Sequence, residues 1–74
     1  MPPQPVVSGS DVCRALSRGG FVRKSQKGSH VKMRHADGRT AIVPDHDEVA
    51  PGTLRSILRQ AGLSLEELIA LLAG

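Results

Sequence analysis

Aromatic residues are almost missing from the sequence: Phe21 is the only one, and there is no tryptophan or tyrosine. Proteins that bind single-stranded nucleic acid through RNA-recognition motifs or oligonucleotide-binding barrels stack the bases on aromatic side chains. The composition therefore argues against both of these modes. Recognition of a nucleic acid through its backbone, shape and charge remains open.

Cysteine and long apolar runs are also scarce. The single cysteine, Cys13, excludes an internal disulfide and fits a reducing cytoplasm, and we expect it to be buried in a helix. No apolar run approaches the ~18 residues that a membrane span needs, and the proline-rich N-terminus does not resemble a signal peptide. We therefore predict a cytoplasmic protein with a disordered lead-in over residues 1–7 and one small domain over residues 8–74.

Acidic residues are rare in the first half of the chain. Residues 14–39 contain eight lysines and arginines and one carboxylate, a net charge of +7, whereas residues 40–74 carry two arginines and five carboxylates, a net charge of −3. This asymmetry indicates a polyanionic partner on one side of the molecule. The alternative is an ordinary solvated basic surface.

Capping residues and turn signals divide the first half into one helix and three strands. Ser8-Gly9-Ser10-Asp11 precedes an apolar stripe that predicts a helix over about residues 9–18, ended by Gly19-Gly20. The strands are predicted at residues 21–25, 29–35 and 40–43. The first turn is expected at Gln26-Lys27-Gly28, the second at the Asp37-Gly38 hairpin signal, and Pro44 ends the third strand.

The second half is predicted to be helical. Pro51-Gly52-Thr53 opens a helix with Thr53 as its cap, and Gly62 ends it. Ser64 and Glu67 form a capping box that starts a further short helix. The apolar stripes of these two helices are Leu54, Ile57, Leu58 and Ala61, then Leu65, Leu68, Ile69 and Leu72. The prediction is an α+β fold, α-β-β-β-α with a three-stranded antiparallel sheet, helices on one face and a short C-terminal helix, as in double-stranded-RNA-binding domains.

The second predicted strand has two chemically different faces. His30, Lys32 and Arg34 fall on one face, and Val31 and Met33 fall on the other. Val31 and Met33 are expected to pack on the helices. An imidazole titrates near neutral pH and cations attract phosphate, so the first face is suited to work on an RNA backbone. A plain solvent-facing strand of a basic protein has the same pattern.

Other candidate sites are weaker. Ser29 and His30 are neighbours on a strand and point to opposite faces, so they do not form a catalytic triad. Asp45-His46-Asp47-Glu48 is more typical of a solvent-facing loop than of a metal site. His35 is interpreted as a surface residue at a strand end. We predict neither a metal nor a cofactor.

An ordered set of short motifs resembles the HicA toxin family, also called YcfA-like, over roughly residues 8–67. These motifs are Gly20-Phe21, Gly28-Ser29-His30, His35-x-Asp37-Gly38, Val43-Pro44-x-His46 and Pro51-Gly52-Thr53-Leu54-Arg55-x-Ile57-Leu58-x-x-Ala61-Gly62. The resemblance implies that residues 8–74 are a HicA-like toxin domain. It implies an mRNA interferase, which is a ribonuclease that cleaves transcripts, and a HicB antitoxin encoded beside it. The family's catalytic histidine falls on His30 and its second histidine on His46, whose role stays open.

Residues and resemblance together predict the toxin of a type II toxin–antitoxin system, a metal-independent endoribonuclease. His30 is the predicted catalytic residue, acting as general base or general acid. Its RNA-binding residues are Lys24, Lys27, Gly28, Ser29, Lys32 and Arg34. A second proton-transfer group is not evident, and His46 and Lys24 are both candidates. The alternatives are a double-stranded-RNA-binding module that does not cleave, and an adaptor whose basic face binds an acidic protein.

Overall fold

The computed structural model describes residues 5–74 and has the predicted α+β architecture. Its elements are α1 (Gly9–Arg18), β1 (Phe21–Lys27), β2 (His30–His35), β3 (Thr40–Pro44), α2 (Pro51–Ala61) and α3 (Leu65–Ala73). The strands form one antiparallel sheet in the order β1-β2-β3. None of the helices described has the length and hydropathy needed to cross a bilayer.

Helix α1 begins and ends where its capping residues predict. The Asp11 backbone N–H donates to the Ser8 hydroxyl, and the Ser8 backbone N–H donates to the Asp11 carboxylate. This second bond holds the pKa of the Asp11 carboxyl below its ordinary value. Cys13, expected to be buried, is only partly so, because it lies on the flank of the buried stripe. Burial still raises the pKa of its thiol.

The first hairpin is longer than predicted. β1 continues to Lys27, so the turn consists of Gly28 and Ser29, and β2 begins at His30. Gly28 has φ +60°, a backbone conformation that glycine adopts without strain. The predicted turn at Asp37-Gly38 is confirmed, and β3 includes Pro44 as its last residue.

The side chains of β2 alternate as predicted. Val31 and Met33 are 2% and 1% exposed and belong to the same core cluster as Leu16, Leu54 and Ile57. His30, Lys32 and Arg34 are exposed on the opposite face. The helices therefore cover one face of the sheet and leave the other to solvent. Phe21 lies in the core, as expected.

Helix α2 begins differently from the prediction. Its N-cap residue is Ala50, no side chain caps it, and Pro51 is its first residue, so the expectation of Thr53 as cap was wrong. The fixed φ of proline suits the first helical position, where its missing N–H has no helical partner to lose. Gly62 ends the helix as predicted, and the Arg39 guanidinium donates to the carbonyl of Ala61 (2.6 Å).

Helix α3 is part of the domain core. Its Ser64–Glu67 capping box is formed, and the Ser64 backbone N–H lowers the pKa of the Glu67 carboxyl. Leu68 is fully buried, whereas Ile69 is 39% exposed and Leu71 packs on the core in its place. The predicted stripe was wrong at Ile69 because α3 packs mainly against α1, which covers only a narrow face of so short a helix.

The chain enters the domain earlier than expected. Val7 was included in the disordered lead-in, yet it is 5% exposed and its carbonyl accepts a hydrogen bond from the Val49 backbone N–H (2.8 Å). The packed domain therefore includes Val7. Residues 1–4 of the predicted lead-in lie outside the described residues.

Two neighbouring residues of α3 give a matched test of its role. We expect Leu68→Ala to lower the free energy of unfolding by about 2–5 kcal/mol, because it leaves a cavity in the core. Ile69→Ala removes an exposed side chain and should cost below about 1 kcal/mol. Thermal melts of both variants followed by circular dichroism provide the measurement. Equal losses in the two variants would show that α3 does not pack as described.

Candidate nucleic-acid interface

The uncovered face of the sheet carries the predicted site residues. His30, Lys32 and Arg34 alternate along β2, the central strand, and all three are exposed. A strand rises about 3.3 Å per residue, so the Cα atoms of His30 and Arg34 lie about 13 Å apart. The three side chains form a row across the middle of the face rather than along an edge.

The backbone around His30 is held from both sides. His30 pairs with Lys27 on β1 and with Pro44 on β3. The Asp45 backbone N–H donates to the carbonyl of Ser29 (2.6 Å), which extends the pairing beyond the end of β3. Pairing on both sides fixes the backbone position from which the exposed His30 side chain extends, and a catalytic group needs such a fixed position.

A surface depression surrounds His30 and contains groups suited to phosphate chemistry. It is lined by Ser25, Lys27, His30, Lys32 and Ile42. Lys27 faces His30 across the hairpin, and Lys32 lies two residues along the same strand. The imidazole therefore lies between two ammonium groups that attract a phosphate, where it can donate a proton to the substrate or accept one from it.

Two more of the predicted RNA-binding residues lie in a second depression on the sheet. Lys24 and Arg34 line it together with Gly20, Val22, His35 and Ala36. Lys24 is the extra residue of a β-bulge, since Arg23 pairs with Met33 and Ser25 with Lys32. We call the two depressions the His30 depression and the Lys24–Arg34 depression.

Gly28 and Ser29 line neither depression but form the turn beside His30. Both are exposed, and a Cβ added to Gly28 would meet no atom within 4 Å. The space above the turn is therefore open, as the close approach of a substrate backbone requires. The positive φ at Gly28 gives that glycine a structural role as well.

His46 lies outside both depressions. It is exposed in the loop after β3, and its backbone carbonyl accepts a hydrogen bond from the Gly9 N–H (2.8 Å) at the start of α1. A Cβ on Gly9 would lie 2.1 Å from the Pro44 carbonyl oxygen, so only glycine allows this approach. The observed contact of His46 is made by its backbone, and its sequence position did not indicate that.

The loop Asp45-His46-Asp47-Glu48 was considered as a metal site in the sequence, and the structure describes its surroundings. Within residues 5–74, no three histidine, cysteine, aspartate or glutamate side chains cluster closely enough to hold a metal ion.

His35, expected at the surface, is half-buried, with its ring edge-on to Phe21 (5.2 Å between centroids). Its Nδ1 accepts a hydrogen bond from the Asp37 N–H (3.1 Å).

Arg39 holds the second hairpin to α2, a role that its sequence position did not reveal. It forms an ion pair with Asp37 (2.8 Å), and its guanidinium lies over the Phe21 ring, 5.2 Å from the centroid. The Arg39 backbone N–H, donated to Asp37, keeps the pKa of that carboxyl below its ordinary value. Of the eight cations in residues 14–39, Arg39 is therefore committed to the fold.

One comparison with known proteins gives a match. A family model described as HicA toxin of bacterial toxin-antitoxin matches residues 9–63, about three quarters of the chain. The matched range begins with α1, includes the whole sheet and both depressions, and ends before α3. No curated protein matches the sequence.

Proposed function

Since the chain belongs to the HicA toxin family and is a toxin of a toxin–antitoxin system, we propose that it is a metal-independent endoribonuclease that cleaves mRNA. The observation that supports this proposal is the position of His30, exposed on a braced strand between Lys27 and Lys32. A histidine between two cations can transfer a proton while a phosphate is held beside it.

The proposed reaction uses the RNA's own 2′-hydroxyl as nucleophile. As that oxygen attacks the adjacent phosphorus, its proton leaves and the bond from phosphorus to the 5′-oxygen breaks. The leaving oxygen takes up a proton, and the products are a 2′,3′-cyclic phosphate and a 5′-hydroxyl. His30 either accepts the first proton or supplies the second. Lys27 and Lys32 stabilise the negative charge that develops on the phosphate.

The residues that line the His30 depression include no second histidine that could act as the other proton-transfer group. His46 and Lys24, the two candidates from the sequence, both lie outside the lining of that depression. Lys27 and Lys32 are the titratable side chains that line it beside His30. Solvent water or one of these ammonium groups then exchanges the other proton.

Binding of the RNA would be mainly electrostatic. Lys27, Lys32 and the Gly28-Ser29 turn contact the phosphate at the cleavage site, while Lys24 and Arg34 hold the chain about 13 Å along the face. This basic face has no phenylalanine, tyrosine or tryptophan side chain on which bases can stack. Sequence preference would therefore come from backbone shape more than from individual bases.

A HicB-type antitoxin is the proposed inhibitor. It would cover the exposed face of the sheet, with carboxylates placed against Lys32 and Arg34, and so keep RNA from His30. Charge complementarity of this kind raises the association rate and fixes the orientation of the partners. Inhibition would occur by occlusion, with the toxin fold unchanged.

Cleavage in the presence of a chelator separates this proposal from its alternatives. Purified toxin and labelled RNA are incubated in EDTA, and we expect fragments to appear. Binding without fragments would instead support a double-stranded-RNA-binding module, the function that the α-β-β-β-α order also fits. If the protein neither binds nor cleaves the RNA, the result would support an adaptor for an acidic protein.

A further inference from the structure

The two edge strands of the sheet, β1 and β3, differ in how their outward backbone groups are hydrogen-bonded. At the β3 edge, the Ile42 backbone N–H donates to the side-chain oxygen of Gln60 on α2 (3.0 Å), and Pro44 has no N–H to offer. Helix α2 also packs along β3. An additional strand would therefore find neither the Ile42 nor the Pro44 donor available at this edge.

The β1 edge is open. Within residues 5–74, no hydrogen bond joins the backbone of β1 to any element other than β2. Six of its seven residues are exposed, and only Phe21 is buried. Since opposite residues of an antiparallel pair alternate between bonded and non-bonded, alternate N–H and C=O groups of β1 point away from the sheet.

The open edge carries charge of one sign. Arg23, Lys24 and Lys27 lie on β1, and the strand has no carboxylate. Like charges on an edge, together with the bulge at Lys24, oppose pairing with a second copy of the same edge. An extended segment with carboxylates would remove that repulsion and satisfy the free backbone groups at the same time.

We propose that the β1 edge binds an extended, acidic segment of the antitoxin as a fourth strand of the sheet. This inference rests on the proposed inhibition by a HicB-type antitoxin and specifies how that protein is held. The regular run Ser25–Lys27, which pairs with His30–Lys32, is the part of the edge that continues past the bulge to the turn beside His30. A strand added there would anchor the rest of the antitoxin over the His30 depression.

Hydrogen exchange, measured amide by amide by NMR, tests the added strand. The probe is the HicB-type antitoxin that is predicted to be encoded beside the toxin gene, mixed with the full-length toxin. We expect alternate amides within residues 22–27 to exchange at least about tenfold more slowly in the complex than in the free toxin, because they become hydrogen-bonded. The Ile42 amide, already bonded to Gln60, should change less. Inhibited toxin with unchanged exchange throughout residues 22–27 would overturn the inference.

A charge reversal gives a second, independent test. Arg23→Glu should weaken antitoxin binding about tenfold, whereas Arg55→Glu, an equal charge change at an exposed position of α2, should leave it unchanged. Cleavage by the free Arg23→Glu toxin should match wild type, since Arg23 lies outside both depressions. Equal antitoxin affinity of the two variants would count against the proposed edge. A toxin that gains protection along β1 but cuts no RNA would overturn only the proposed function.

Discussion

The His30→Ala variant is expected to cleave RNA about 10²- to 10⁴-fold more slowly than wild type, the usual cost of losing one acid–base group. The fold should be unaffected, because the His30 side chain is exposed and the strand is held through its backbone pairing with Lys27 and Pro44. Expression of the variant should therefore no longer arrest growth.

Single-turnover cleavage of labelled RNA in EDTA measures this loss, and a circular dichroism melt confirms that the variant is folded. His46→Ala is the matched control, since His46 is also exposed but lies outside the His30 depression. It should keep most of the wild-type rate. A folded His30→Ala protein that still cuts RNA and arrests growth would show that the site is assigned to the wrong residue.

The second large effect is expected from reversing two charges on β2. The double variant Lys32→Glu/Arg34→Glu should bind RNA almost undetectably, because it places two carboxylates where the two depressions need cations. Wild-type affinity should also fall steeply with salt. Each phosphate contact contributes about 0.7 to the slope of log affinity against log salt for single strands. The variant should lose about two such contacts.

A control with the same change in net charge is available on α2. Arg55→Glu/Arg59→Glu reverses two exposed arginines on the helical side of the molecule. Filter binding or fluorescence anisotropy over a salt series compares the two double variants. If both lose the same affinity, net charge rather than the basic strand governs binding, and the sheet face is not the contact surface.

The arrangement of the candidate site residues on β2 was predictable because β2 alternates strictly. Val31 and Met33 are apolar between three polar residues, so burying them leaves His30, Lys32 and Arg34 no alternative to the open face. The extent of β1 was less predictable. Its residues beyond Phe21 have no apolar alternation, since both faces are exposed there. Only pairing with β2 extends that strand to Lys27.

The remaining differences come from tertiary contacts that have no local sequence signal. The bulge at Lys24 is visible only in the strand register. The contact of His46 with the start of α1 depends on how closely Gly9 approaches Pro44. Ile69 and Leu71 both fit an apolar helix face, and the packing of α3 against α1 decides that Leu71, not Ile69, lies against the core.

The chemistry of the new RNA ends tests most directly whether His30 promotes attack by the 2′-hydroxyl without a metal. Fragments made by the wild-type toxin in EDTA are analysed by mass spectrometry. We expect every cut to leave a 2′,3′-cyclic phosphate, or its hydrolysis product, on one fragment and a 5′-hydroxyl on the other. The absence of fragments in EDTA, or fragments that carry 5′-phosphate ends, would contradict the proposed reaction.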